Sequence, residues 1–395
     1  MKRFFTLLFA IILLFSCTIV SCDKDETTPS SSFSSEASES STASSATSDT
    51  SKPITPNEPE GVGVWVGDSA TYKRVDVNGE EKVNGDYVLF GYYPQSDVTD
   101  EVGGLLSSYV SVLPTSKDRK NWNDYGYFLA SENSYDYAWY KDVIFEGKKY
   151  RAVYFTTYRP IYTSHSASQT GTYQEESGYI KGNVYWFKFE PVKWRILNEG
   201  GGLTTLLAEK ILDGKEYNSS NESTLKNGKT VYANNYENSF VRAWINGEFY
   251  DLAFSGEQKT LINAVEIDNS ARSTNPDNDA TFWEKGVNSY ACGNTNDKVW
   301  LLSAQEATKA GYGFSTDVAA KDAARQKKVT AYGLCQGCYA STTENKGNSG
   351  WWLRSPVSTF GVYAIRYASD DGRVNAGGSV DFAFYGVVPA LQISL

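Results

Sequence analysis

Apolar and polar positions change rhythm several times along this chain. Residues 4–15 form a nearly unbroken apolar run, whereas 27–51 are mostly Ser and Thr with Phe33 as the only large apolar side chain. From residue 86 onward, short stretches rich in β-branched and aromatic residues, at 87–90, 150–158, 184–189, 192–197, 203–207 and 299–302, predict strands. Pro191 divides the long aromatic run into two strands, or one strand with an edge bulge. After Ser239 the set Phe240, Val241, Trp244, Ile245 and Phe249 follows a helical stripe despite Gly247. Ser255 with Gln258 and Ser303 with Glu306 are capping-box pairs that start helices, the second stopped by Gly311. The Ala-rich run 316–328 reads as a short surface helix, and Gly, Asn, Ser and Thr dominate from there to 351. Strands return at 362–367 and 373–375 around an Asp371-Gly372 turn, and a last strand covers 387–393. The fold class expected is α+β.

The apolar run at the start has a specific meaning. Basic Lys2 and Arg3 precede it, and Ile19-Val20-Ser21 leads into Cys22, the grammar of a secretory signal cut immediately before a cysteine that then carries lipid. Cys17 is a competing site, disfavoured by bulky Phe15 and by the polar stretch that starts only at Asp23. An uncleaved anchor would have to use 4–20, which is short for a span and interrupted by Thr6, Ser16, Cys17 and Thr18. The expected division is a lipoprotein signal at 1–21, a disordered Ser/Thr-rich tether at 22–60, an extension at 61–85 with room for a short hairpin, and one large domain at 86–395. A coil of about 38 residues reaches roughly 35 Å, enough to lift a domain off lipid headgroups. The protein is therefore expected outside the cytoplasmic membrane, anchored to a bilayer by its N-terminal lipid. A net charge of −10 with no Lys/Arg cluster argues against a nucleic-acid partner, and it leaves membrane attachment to the lipid.

Five segments, taken together, carry a resemblance: Phe90-Gly91-Tyr92-Tyr93-Pro94-Gln95-Ser96, Glu190-Pro191-Val192-Lys193-Trp194-Arg195-Ile196-Leu197, Asp297-Lys298-Val299-Trp300-Leu301-Leu302-Ser303, Trp351-Trp352-Leu353-Arg354-Ser355-Pro356 and Gly386-Val387-Val388-Pro389-Ala390-Leu391. In order and spacing they resemble a bacterial family catalogued as domain of unknown function 6273, over most of 86–395. The resemblance makes Trp194, Trp351, Trp352, Arg354 and Pro389 structural motif residues. That family commonly has Arg where this chain has Val388, so a salt bridge or ligand role at that position is absent here. The ending, a Trp-rich motif, a variable hairpin and a closing strand, is similar in architecture to C-type-lectin-like domains of the formylglycine-generating-enzyme type. That similarity implies a single lectin-like domain whose terminal strands pair, with a ligand site among irregular loops on one face; it does not transmit function.

The chemistry-bearing residues are sparse. His165 is the only histidine and sits in a polar loop, which removes His-rich metal sites and His-based triads. Cys335-Gln336-Gly337-Cys338 is read as a disulfide, with Cys292 as an alternative partner for either. The pair precedes the Trp motif, so it does not occupy the place of the catalytic cysteines of the formylglycine-generating enzymes. Trp122-Asn123-Asp124 lies too early to act as a lectin calcium triplet. Asn275, Asp277, Asn278 and Asp279 read as an Asx-rich turn rather than a calcium loop, and Glu175-Glu176 gives no glycosidase geometry. No catalytic residue, metal or cofactor is expected.

Binding remains, and the terminal stretch 357–385 is where it is expected. It contains no Lys, Glu, Gln, Met or Trp, the types that codons ending in a pyrimidine cannot encode. Lectin-like surface proteins diversified in this region by adenine-directed mutagenesis have such a composition, and so does a plain Tyr/Gly-rich hairpin. Tyr363, Tyr367, Asp370, Asp371, Asn375 and Phe384 are the ligand-binding candidates, Tyr for rigid amphipathic contact and Asp or Asn for hydrogen bonds. The partner expected is an extracellular protein or glycan. A structural envelope lipoprotein and an enzyme of the formylglycine-generating type are the alternatives.

Overall fold

The computed structural model describes residues 73–76, 86–127, 137–163, 172–277 and 288–394, all within one compact unit, Ile54–Leu395. The signal, the whole of the tether, Cys17, Cys22, His165, Asn278 and Asp279 lie outside the described residues. Two sheets, three short two-stranded ladders and a few brief helices make up an α+β fold dominated by strand. No helix among the described residues is long and apolar enough to cross a membrane.

The larger sheet has nine strands in the order Val299–Trp300, Ala390–Ser394, Leu203–Ala208, Val184–Gly200, Lys148–Phe155, Ala138–Phe145, Asn123–Asp124. Asp86–Asp97 also pairs with Val184–Gly200 and carries Lys73–Asp76 on its far side. Pro191 lies inside the continuous 17-residue strand Val184–Gly200, opposite Tyr92 where the register shifts. Lys148–Phe155 pairs with 184–188 and Leu203–Ala208 with 194–200, so 189–192 has a strand ladder on one side only. A residue without an N–H is tolerated where no second ladder needs it.

The second, terminal sheet runs Val374–Ser379, Ala364–Ala368, Trp351–Pro356, Gly386–Val387, Asp213–Gly214. The last strand expected at 387–393 is really two pieces. Gly386–Val387 lies parallel to Trp351 in the terminal sheet, and Ala390–Ser394 lies against Leu203–Ala208 in the large one. Val388-Pro389 makes the crossing, and the antiparallel segment 208–213 crosses beside it, with Ala208 N–H donating to Pro389 O and Leu212 N–H to Val387 O. The expected pairing of terminal strands is thereby corrected. Ala390–Ser394 and Asp86–Asp97 share the large sheet but are held apart by Leu203–Ala208 and Val184–Gly200, because each edge of the last strand is already taken.

The helix after Ser239 forms as expected, capped by the Ser239 hydroxyl, and widens into a π-helical turn at Ile245–Phe249 around Gly247. Ser255 and Gln258 make both capping-box bonds. Ser303 and Glu306 make the same reciprocal pair, yet only a 3₁₀ turn at Glu306–Thr308 follows, and the Glu306 carboxylate also pairs with Arg354. The helix expected over 316–328 is absent. Arg325, wholly buried, collects the carbonyls of Ser315, Asp317, Ala320, Ala307 and Gly372. A guanidinium holding three carbonyls of its own segment leaves too few for a helix ladder, and tertiary bonds override the Ala propensity.

Candidate functional site

Strand Trp351–Pro356 is buried at every residue and carries the motif that dominates the terminal sheet. Alternation sends its two indoles to opposite faces, and both are fully buried: Trp351 Nε1 donates to Arg325 O at 2.8 Å and Trp352 Nε1 to Lys215 O at 2.7 Å. Trp194 is likewise sealed in, donating to Phe90 O at 2.7 Å. Arg354 donates to Asn269 Oδ1, Leu301 O and Asp268 O and pairs with Glu306. Val388 is buried in the main core.

The six candidates of the terminal hairpin do not form one row. Tyr363 is 43% exposed at the start of the hairpin, away from the others. Tyr367 faces Asn375 across the ladder, and its ring stacks on Tyr385 at 4.5 Å. Phe384 meets Tyr385 at 4.7 Å, so Tyr367 and Phe384 are brought together through a residue that pattern reading did not select. At the turn, Asp371 accepts from the Ser369 hydroxyl and Arg373 N–H and pairs with Arg373 at 2.9 Å. Desolvation works to raise its carboxyl, but these partners hold it below the usual carboxylate range. Asp370 offers its carbonyl to Asn348. Gly372 takes a φ of +85° with no room for a Cβ against Asp322, so the turn is clamped to its neighbours. Asp371 is thus a turn-forming residue, which the Asp-Gly signal itself implies.

What the hairpin does build is an aromatic platform. From Tyr367 and Tyr385 the rings continue through Phe384 to Phe382 at 5.0 Å and on to Tyr162 at 4.7 Å, while Tyr173 edges onto Phe384 at 5.5 Å and onto Tyr339 at 5.2 Å. All seven are half-buried, over the fully buried indole of Trp352, which meets Tyr385 edge-on at 4.8 Å. The backbone fixes this array: Ala383 N–H donates to Ile161 O, Tyr339 N–H to Phe384 O and Gly386 N–H to Gly350 O. Two glycines make the stacking possible. A Cβ on Gly350 would stand 2.7 Å from the Tyr385 ring, and one on Gly378 would stand 3.0 Å from Trp352 and 3.1 Å from Tyr367. Burial pushes the Tyr385 phenol well above its ordinary value, so the platform carries no phenolate charge there. Phe382 and Tyr385 could have been found from the alternating Phe382-Ala383-Phe384 run, whereas Tyr162, Tyr173 and Tyr339 come from distant segments without a local signal.

The disulfide expected between Cys335 and Cys338 is not formed; both are free and buried, and Cys292 is free and half-buried. Cys335 ends the short helix Ala331–Cys335, and Cys338 packs where a Cβ on Gly214 would meet its sulfur at 3.0 Å. Burial pushes both thiols up, away from the thiolate that nucleophilic chemistry needs. Asn275 is fully buried with its amide on Ala271 O, which points it into its own turn. Trp122 is buried with its indole on Val112 O, and Glu175 and Glu176 are exposed in a one-turn helix. Among the described residues, no group of three or more His, Cys, Asp or Glu side chains could hold a metal ion.

The class of protein these features define is a two-sheet α+β domain whose terminal motif strand organises an aromatic surface. Residues 202–395 match the family described as domain of unknown function 6273 (DUF6273). The matched span holds the Trp351–Pro356 and Pro389 motifs, while the segments around Tyr93 and Trp194 precede it. No curated protein and no solved structure matches the chain.

Proposed function

We propose that the protein is an extracytoplasmic lipoprotein, tethered to a membrane through Cys22, whose lectin-like domain binds an extracellular protein or glycan on the aromatic platform. The reading rests on one observation: seven half-buried rings, four from the terminal hairpin and one each from the segments of Tyr162, Tyr173 and Tyr339, pack against one another in a continuous array held by fixed backbone bonds. Tyr and Phe faces at this exposure contribute contact area at low entropic cost, and sugars and protein surfaces both use such faces. The role is binding rather than catalysis, and the signal grammar around Cys22 supports the address.

The test pairs glycan and protein arrays with lipid labelling, using the full chain. Wild type should label with palmitate and give array signals; Cys22→Ser should lose the label, and Phe384→Ala/Tyr339→Ala should lose the signals while remaining folded. Array signals that survive in the folded double variant sink the platform reading. Label that survives in Cys22→Ser sinks the anchor reading.

A further inference from the structure

Between the two sheets, at the far end of strand Trp351–Pro356 from the platform residues, lies a cleft of about 300 Å³. Its floor is Arg354; Thr205 and Gln392 come from the large sheet, and Glu266, Asp268 and Asp277 from the segment that crosses over it. That volume is at the small end of ligand pockets, the size for one compact ring system.

The chemistry of the lining is mixed in a particular way. Arg354 and Glu306 neutralise one another at the floor. Three carboxylates each spend one oxygen on the protein: Glu266 accepts from Asn294 Nδ2, Asp268 from Ser270 N–H and Asp277 from Gln305 Nε2. Among the described residues no other side chain or backbone group bonds the second oxygen of each, which is left to accept from a ligand. Two aromatic residues complete the wall. Tyr312 lies under the Lys309 ammonium at 4.4 Å, and Trp300, only 3% exposed, has an indole N–H with no hydrogen-bond partner among the described residues. An orphaned buried donor costs about 1–3 kcal/mol, and in a native fold it calls for an explanation.

From this we infer that the cleft is a second binding site, independent of the platform, for a small neutral polyhydroxylated ligand: a single sugar ring or the end of a glycan. Carboxylates accept from paired hydroxyls, the amides and hydroxyls of Gln305, Gln392, Thr205 and Ser303 complete both donor and acceptor needs, and the half-buried Tyr312 ring borders the apolar side of a pyranose. An anion is opposed by three carboxylates against one unpaired cation, Lys309, among the described lining residues. A polyamine answers the carboxylates but offers no acceptor to Lys309 or to the amides of Gln305 and Gln392, so putrescine is the competing probe.

The test is calorimetric titration of the full chain with glucose, galactose and N-acetylglucosamine, and with putrescine as the cationic probe, at concentrations up to about 10 mM, where single-ring affinities fall. At least one sugar should bind. Asp268→Asn/Asp277→Asn, both at solvent-reached positions, should weaken it at least tenfold with an unchanged melt, while Phe384→Ala on the platform should leave it intact. Binding abolished by Phe384→Ala but not by the cleft variant assigns the sugar to the platform and overturns the inference. Putrescine binding without any sugar binding, or no sugar binding to the folded wild type, overturns it equally.

Discussion

One strand, Trp351–Pro356, serves two surfaces of opposite character, and the contrast between its ends shows how this fold divides its work. At the first end Trp352 underlies a platform of half-buried rings held by stacking and backbone ladders. Two residues on, Arg354 floors a cleft lined by carboxylates, amides and hydroxyls. The platform is built by removing Cβ atoms at Gly350 and Gly378 so that rings can approach. The cleft is built by satisfying a buried guanidinium so completely that its charge is spent inside the protein. Shape complementarity organises the first and hydrogen-bond satisfaction the second, so the two should respond differently to substitution.

The largest effect should come at the shared strand. Trp351→Ala and Trp352→Ala each remove a fully buried indole and strand the carbonyl it bonded, Arg325 O or Lys215 O. Each should cost about 3–5 kcal/mol in denaturant melts. A variant with near-native stability would mean that its face of the sheet can collapse around the hole, and that the platform does not depend on a rigid floor.

Arg354→Met comes next and separates the two ends. Methionine fills the volume but leaves the Glu306 carboxylate and the carbonyls of Leu301 and Asp268 without their donor. With Glu306 still 23% exposed, water takes up part of the loss, so about 3 kcal/mol is expected rather than the top of the range for a broken buried pair. Arg354→Lys should recover little, because an ammonium cannot reach several fixed acceptors as a planar fork does. Recovery by Lys would show that charge alone holds the floor.

Sequence patterning reached the platform's foundation and stopped short of its surface. Adjacent indoles in a strand must face opposite ways, so at least one of Trp351 and Trp352 had to be buried. That both are follows from material packed on each face of the sheet, Arg325 on one side and Lys215 on the other, which no local pattern reports. Propensity failed at 316–328 for the same reason: the carbonyls that an Ala-rich helix would use are held by a guanidinium whose other partners lie at Ala307 and Gly372. Pro389 was legible as a fixed motif, but its task of carrying the chain between sheets depends on the partner crossing at 208–213. The cleft was invisible because its lining runs from Thr205 to Gln392 and every residue in it is ordinary in its own neighbourhood.

The smallest effect tests whether the platform is a cooperative unit or a collection of rings. Tyr363 and Tyr367 are the same residue type four positions apart, and both were expected at the ligand surface. Tyr367 is locked between the Gly378 backbone and the Tyr385 ring, whereas Tyr363 is 43% exposed and joins none of the platform's ring contacts. Tyr363→Ala should therefore shift stability by less than about 0.5 kcal/mol, as exposed substitutions do. Tyr367→Ala should cost about 1–2 kcal/mol more, since stacked aromatic pairs contribute beyond their buried area. Melts of the two single variants and the double variant decide the matter. Simple additivity is expected, because the rings share no partner. A coupling above about 0.5 kcal/mol would extend the platform to the start of the hairpin, and it would return Tyr363 to the set of residues that a bound surface must touch.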